Sequence, residues 1–216
     1  MGSDLIQTIA IWALPVIFAI TLHEAAHGYV ARHFGDLTAY VQGRISLNPL
    51  RHIDMTGTII VPLVLLLVSK LFGGSGILFG WAKPVPVNFS GLRNPKRDML
   101  WVAAAGPGAN LLMALFWALV LKIAASVPES AMSQMGWAGI QINVVLMVLN
   151  LLPIPPLDGG RIAVSLLPHS FSYRFSRIEP YGMFILLMLL FSGILGIIIV
   201  PLVNTVMRLI SSVINL

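Results

Sequence analysis

"LIQTIAIWALPVIFAITLHEAAHGYVA", residues 5–31, is an apolar run long enough to cross a membrane, with two histidines and a glutamate near its end. A bilayer core of ~30 Å takes about 20 apolar residues as a helix. An acid at the centre of such a helix costs at least ~2.5–3.5 kcal/mol on insertion scales. A chain that keeps Glu24 there, between His23 and His27, has a use for it.

The rest of the chain sets the context. It has 216 residues, of which 57% are hydrophobic and only 10% charged. Soluble domains run about 45–50% apolar and about 25% charged. The composition therefore implies an all-α polytopic membrane protein, residues 1–216 forming one integral-membrane domain with room for roughly four to six spans. The net charge of +5 resides in short loops between apolar runs. There, basic residues set topology and meet anionic headgroups, so the expected partner is the lipid bilayer and not nucleic acid. The absence of cysteine excludes disulfides and thiolate metal sites. The first apolar run lacks a basic leading region and a small-residue cleavage motif, and reads as a retained helix and not a signal peptide.

Three core helices are expected at about 5–31, 99–125 and 137–157, with Pro15 and Pro107 as points of kinking or unwinding. The C-terminal stretch 181–216, interrupted by Pro201, reads as one long span or a span and a return. Residues 38–90 look re-entrant or β-like. Within them "TAYVQGRISLNP" (38–49) and "FGWAKPVPVNF" (79–89) combine β-branched, aromatic and turn-forming residues and read as extended segments. Between these, a helix is expected to Phe72, then a break at "GGSG" (73–76) and a return on the same face. Arg32, Arg44 and Arg51, then Lys83, Arg93, Lys96 and Arg97, then Arg161, Arg174 and Arg177 form three basic groups, whereas the loop at 127–136 carries Glu129 and no cation. By the positive-inside rule the basic groups are cytoplasmic and that loop external. The HEAAH end of the first helix and the end of the 137–157 helix then lie at the same, cytoplasmic, face.

Histidines four residues apart share one helix face, the spacing by which a helix offers two imidazoles to one metal ion. Glu24 stands beside them, in reach of a metal-activated water and not of the metal. Catalytic zinc takes a third protein ligand and keeps one position open. His33 falls roughly 240° around the helix from His27, and His52 and His169 sit in polar loops where a solvated histidine is expected. Asp158, after an apolar helix and before Gly159 and Gly160, is the better candidate for the third ligand, although an ordinary turn or capping aspartate also fits.

"HEAAH" on a membrane helix, "AGPGAN" opening a middle helix and "NLLPIPPLDGG" (150–160), in that order, resemble the site-2 protease family of intramembrane zinc metalloproteases. "LNPLRHID" (47–54) and "FGWAKPVPVN" (79–88) resemble its compact prokaryotic branch, and the likeness covers roughly residues 20–165. The resemblance implies one zinc ion per chain held by His23, His27 and Asp158, Glu24 as the catalytic base, and Asn150 as the residue stabilising the oxyanion. It implies hydrolysis of peptide bonds in or near transmembrane segments of protein substrates, in regulated intramembrane proteolysis, with extended segments holding the substrate as an added strand. The expected location is a prokaryotic cell membrane, crossed several times, with the active site toward the cytoplasm. The chain departs from many relatives in having no PDZ or CBS module and no helix before HEAAH, which leaves substrate filtering to a regulatory membrane protein if there is any. The rival reading is a divalent-metal binding or transport protein using the same ligands. It predicts a relay of further intramembrane acids or histidines, and the central helices offer almost none.

Overall fold

In a computed structural model of the chain, the described residues are 2–71, 80–124, 127 and 130–214. The order of elements is α1 (Gly2–His33), a single helical turn α2 (Thr38–Val41), a 3-10 turn at Pro49–His52, a π-helical turn at Met55–Ile60, and α3 (Val61–Leu71). There follow α4 (Pro95–Ile123), α5 (Ala131–Asn150), α6 (Asp158–Leu166), α7 (His169–Ser176), α8 (Gly182–Phe191) and α9 (Ile194–Ile214). Four helices, Ile6–His33, Pro95–Ile123, Ala131–Asn150 and Ile194–Ile214, are long and apolar enough to cross a membrane. No strand occurs among the described residues.

Three helices form near the expected runs, although the third spans Ala131–Asn150 and stops short of the expected 157. α1, α4 and α5 pack pairwise against one another, and α9 packs on α4 and α5. Lipid tails are as apolar as leucine, so helices in a membrane associate through close packing and buried polar contacts more than through the hydrophobic effect. The buried seams accordingly carry small residues: Ala19 and Ala25 on α1, Ala103, Gly106, Ala114 and Ala118 on α4, and Ala138 and Gly139 on α5. Larger side chains fill the layer between α4, α5 and α9, where Trp117, Leu121, Ile140, Val144, Met147 and Ile210 form one cluster. Outward-facing Ile6, Ile9, Leu112, Leu119 and Ile197 are largely exposed, as a lipid-facing surface requires.

Several sequence expectations are corrected. Pro15, Pro107 and Pro201 all lie inside continuous helices, so none of them unwinds or interrupts its span. The C-terminal stretch breaks instead at Ser192–Gly193, where Gly193 takes φ +76, a conformation open to glycine. Thr38–Val41 is a helical turn and not extended backbone, whereas residues 80–88 are non-helical. The expected break at "GGSG" and the external loop's Glu129 lie outside the described residues.

The non-helical part of the chain is laced to the end of α1. Asp36, 1% exposed, accepts from the Thr38 amide at 2.9 Å through Oδ1 and from the Asn88 amide at 2.7 Å through Oδ2. The Arg93 amide donates to the Phe34 carbonyl at 3.0 Å. Residues 80–88 are thereby held beside the HEAAH segment.

Gly139 tests the close packing. A Cβ there would collide with the Trp117 ring, whereas one on Gly196 of α9 would meet nothing within 4 Å. Overpacking costs about 1–3 kcal/mol, more than the about 1 kcal/mol by which alanine exceeds glycine in a helix. Gly139→Ala should therefore lower the thermal midpoint of the purified protein, while Gly196→Ala should leave it unchanged or raise it.

Candidate metal centre

His23, His27 and Asp158 are brought together, each 7% exposed, as a buried group able to hold a metal ion. The two Nε2 atoms are 3.2 Å apart, and Asp158 Oδ2 lies 3.2 Å from that of His23 and 3.3 Å from that of His27. Tetrahedral zinc with ligands at ~2.0–2.1 Å sets its ligand atoms about 3.3 Å apart. The triangle has that size.

The protonation of the rings decides what the triangle can hold. His23 Nδ1 is 2.6 Å from Asn110 Oδ1, and His27 Nδ1 is 2.7 Å from the Val102 carbonyl oxygen. Asn110 is oriented by its own bonds, since its Nδ2 donates to the Ala19 carbonyl at 3.2 Å and to Asn143 Oδ1 at 2.9 Å. Asn143 is oriented in turn, donating to the Gly139 carbonyl at 2.8 Å. Both Nδ1 partners are therefore acceptors, so both rings carry their proton on Nδ1. In a neutral imidazole the other nitrogen then presents a lone pair. Two nitrogen lone pairs and a carboxylate oxygen face one another, and Asp158 Oδ2 is buried with no hydrogen-bond partner. A metal ion bound by all three atoms would relieve that arrangement. The donor set, two imidazoles and one carboxylate, suits zinc.

Each member of this group is placed by local structure. HEAAH lies on regular helix in the last third of α1. The imidazoles stack edge to face, with planes at 84°. Opposite them α4 offers Gly106, where a Cβ would sit 2.6 Å from His23 Nε2 and collide with His27 Nε2. Asp158 arrives by a different route. α5 stops at Asn150, a series of tight turns follows through Pro153, Pro155 and Pro156, and Asp158 opens α6, which packs on α4. Gly159 and Gly160 make that return tight enough, lying against the backbone of residues 151, 152, 154 and 155 where any side chain would clash.

Glu24 is half-buried, and its Oε2 accepts from the Val85 amide at 2.7 Å. Asn150, the last residue of α5, donates through Nδ2 to the Leu146 carbonyl at 3.0 Å. His33 is exposed with its ring against Phe34, and His169 is exposed at the start of α7. His52 departs from expectation: it is 2% exposed and not solvated, its Nε2 donating to the Ser46 carbonyl at 2.8 Å. Asn110, Asn143, Gly106 and Val85 are absent from the sequence reading. The signal for two of them was present, because Gly106 and Asn110 are four apart in "AGPGAN" and share a helix face.

The profile of the peptidase family M50 matches residues 120–193. YwhC, a candidate zinc metalloprotease of Bacillus subtilis (strain 168), is 37% identical over 198 residues, 88% of this chain and 84% of that protein. Rip2 of Mycolicibacterium smegmatis, with the same description, is 30% identical over 185 residues, 83% of this chain and 66% of that one. Rip2 of Mycobacterium tuberculosis (strain H37Rv) is 30% identical over 189 residues, 86% of this chain and 65% of its own. No solved structure matches the chain.

Partners that fix a ligand's tautomer are typically worth 10–100-fold in metal affinity. Asn110→Leu, which removes the acceptor at His23 Nδ1, should weaken zinc binding by roughly that factor. Gly106→Ala should displace the rings and abolish stoichiometric zinc. Both are read by elemental analysis after dialysis against graded chelator, with a thermal melt to confirm folding.

Proposed function

The chain belongs to peptidase family M50, the site-2 protease family, and from that premise we propose that it cleaves transmembrane segments of membrane-protein substrates within the bilayer. It is a multi-pass membrane protein and a zinc metalloprotease. The observation that carries the reading is the convergence of two imidazole Nε2 atoms and a carboxylate oxygen, 3.2–3.3 Å apart, in a buried site one residue from a glutamate.

In the proposed assignment His23, His27 and Asp158 hold one zinc ion per chain and Glu24 is the general base. Bound zinc supplies Lewis acidity, which activates water and polarises a carbonyl. Glu24 takes the proton from the attacking water and delivers it to the nitrogen of the departing amine, so that one carboxylate serves both halves of hydrolysis. Asn150 is assigned to the oxyanion. Its amide has two N–H groups, and one of them is engaged by the Leu146 carbonyl, which leaves the other for a substrate oxygen. Asn110 and the Val102 carbonyl keep the rings in the tautomer that metal binding needs.

The cell membrane is the proposed location, and the cytoplasmic side that of the site. Arg32 in the last turn of α1, Arg44, Arg51, Lys83 and Arg93 in the connection, and Lys96 and Arg97 in the first turn of α4 cluster where the positive-inside rule puts the cytoplasmic face. Residues 1–216 are proposed to act as one protease domain.

The test is cleavage of single-span proteins co-reconstituted in vesicles. Glu24→Gln should keep zinc and lose about 10²–10⁴-fold in rate. Asp158→Ala should lose both zinc and activity, and chelation should silence the wild type until zinc is restored. Wild-type cleavage by Glu24→Gln would remove Glu24 as the base, and full zinc in Asp158→Ala would remove Asp158 from the ligand set.

A further inference from the structure

Residues 80–88 run past the metal centre, and the sequence "KPVPV" within them has an unusual property. Proline carries no N–H. Across Pro84, Val85 and Pro86 the single backbone donor is therefore that of Val85, and it is spent on Glu24 Oε2 at 2.7 Å. Residues that precede proline are pushed out of the helical region into extended conformations. Lys83 and Val85 both precede one, so the strap is stiff and the direction of the Val85 N–H is fixed.

The strap is also braced on each side of that donor. The Trp81 amide donates to the Gly57 carbonyl at 3.1 Å, and the Lys83 amide to the His52 carbonyl at 2.8 Å. Arg44 Nη2 donates to the carbonyls of Lys83 and Pro84, at 3.0 and 3.2 Å. The Asn88 amide is tied to Asp36. Val85 itself is 4% exposed, and its side chain lies with Ile45 over Gly28, one turn beyond Glu24. A Cβ on Gly28 would come within 2.9 Å of Ile45 and 3.2 Å of Val85. The absence of a side chain at 28 lets the strap approach α1 closely enough for the hydrogen bond.

We propose that the Val85 amide is a positioning donor for the catalytic carboxylate, anchoring Glu24 through one oxygen so that the other faces the reacting water. The inference rests on Glu24 being the general base. A carboxylate on a flexible side chain samples several rotamers, and a misplacement of about 1 Å can cost on the order of 10²-fold in rate. A rigid N–H that fixes one oxygen removes that freedom. A different arrangement, in which the strap is a plug that blocks Glu24 until a substrate pulls it away, predicts the opposite outcome, faster cleavage when the contact is lost.

Val85→Pro removes this one hydrogen and leaves the strap extended, while Val85→Ala keeps the hydrogen and loses the side chain. With a single-span test substrate in vesicles, Val85→Pro should lower kcat roughly 10–100-fold with KM and zinc content unchanged. Val85→Ala should stay near wild type. Arg44→Gln retains each strap donor but loosens the brace, and should fall between them; it carries the test if Val85→Pro does not fold. A second readout needs neither metal nor turnover. Infrared difference spectra of 13C-glutamate-labelled, metal-free protein, taken against Glu24→Gln, isolate the Glu24 carboxylate stretch. That band should shift in Val85→Pro and not in Val85→Ala. An unshifted band with wild-type kcat overturns the proposal, and faster cleavage by Val85→Pro overturns it in favour of a plug. If the wild type shows no Glu24-dependent cleavage, the general-base reading fails, and the infrared shift still reports whether Val85 holds the side chain.

Discussion

The hydrogen bond from His23 Nδ1 to Asn110 Oδ1, 2.6 Å long, is the contact on which the site turns. It joins α1 to α4, and through Asn143 it reaches α5, so three spans share one polar chain. Inside a bilayer such a chain is costly unless every member is satisfied. Here both N–H groups and the oxygen of Asn110 have partners, and Asn143 is bonded through both its amide nitrogen and its oxygen, so the unmet demand falls on the far side of the imidazole. There it becomes a lone pair aimed at another lone pair and at Asp158. The packing of the helices and the affinity for a cation are thus one arrangement.

This explains why small residues dominate the α1–α4 seam. Gly106 faces the two rings, and the next residue on that face, one turn along, is Asn110. A side chain at 106 would push the rings off, and an apolar side chain at 110 would leave the Nδ1 proton of His23 buried without an acceptor. One face of α4 therefore provides both the room for the metal centre and its orientation.

The spans and the shared face of His23 and His27 were legible in the sequence because they follow from simple periodicities. Apolar runs near 20 residues give α1, α4, α5 and α9, and the spacing of His23 and His27 gives a shared face. The effect of proline was less legible. Pro15, Pro107 and Pro201 each sit inside continuous helix, since one lost hydrogen bond is tolerated where neighbouring helices pack around it. Pro153, Pro155 and Pro156 do break the chain, because three prolines in four residues remove consecutive donors. Composition cannot separate these cases; local density of proline does. His52 was misread for a related reason. Its loop is polar in sequence, but its ring is buried with Nε2 on the Ser46 carbonyl while its own carbonyl accepts from Lys83 of the strap, a contact that no local pattern encodes.

The strap also shows how a site can be polar and still belong to a membrane protein. Irregular backbone at membrane depth survives only where its donors and acceptors are met by protein or by a wet cavity. Residues 80–88 meet theirs with Gly57, His52, Arg44, Asp36 and Glu24. Four of those five contacts hold the strap in place, and the fifth is with a carboxylate next to the two histidines of the candidate metal centre. Prolines on both sides of Val85 make the economy visible: in "PVP" the chain has dispensed with the donors it would otherwise have to satisfy and kept the one that reaches Glu24. A segment built for packing alone would gain nothing from retaining that single N–H. Its retention, aimed at the one acid beside HEAAH's histidines, ties the shape of the strap to the chemistry of the site.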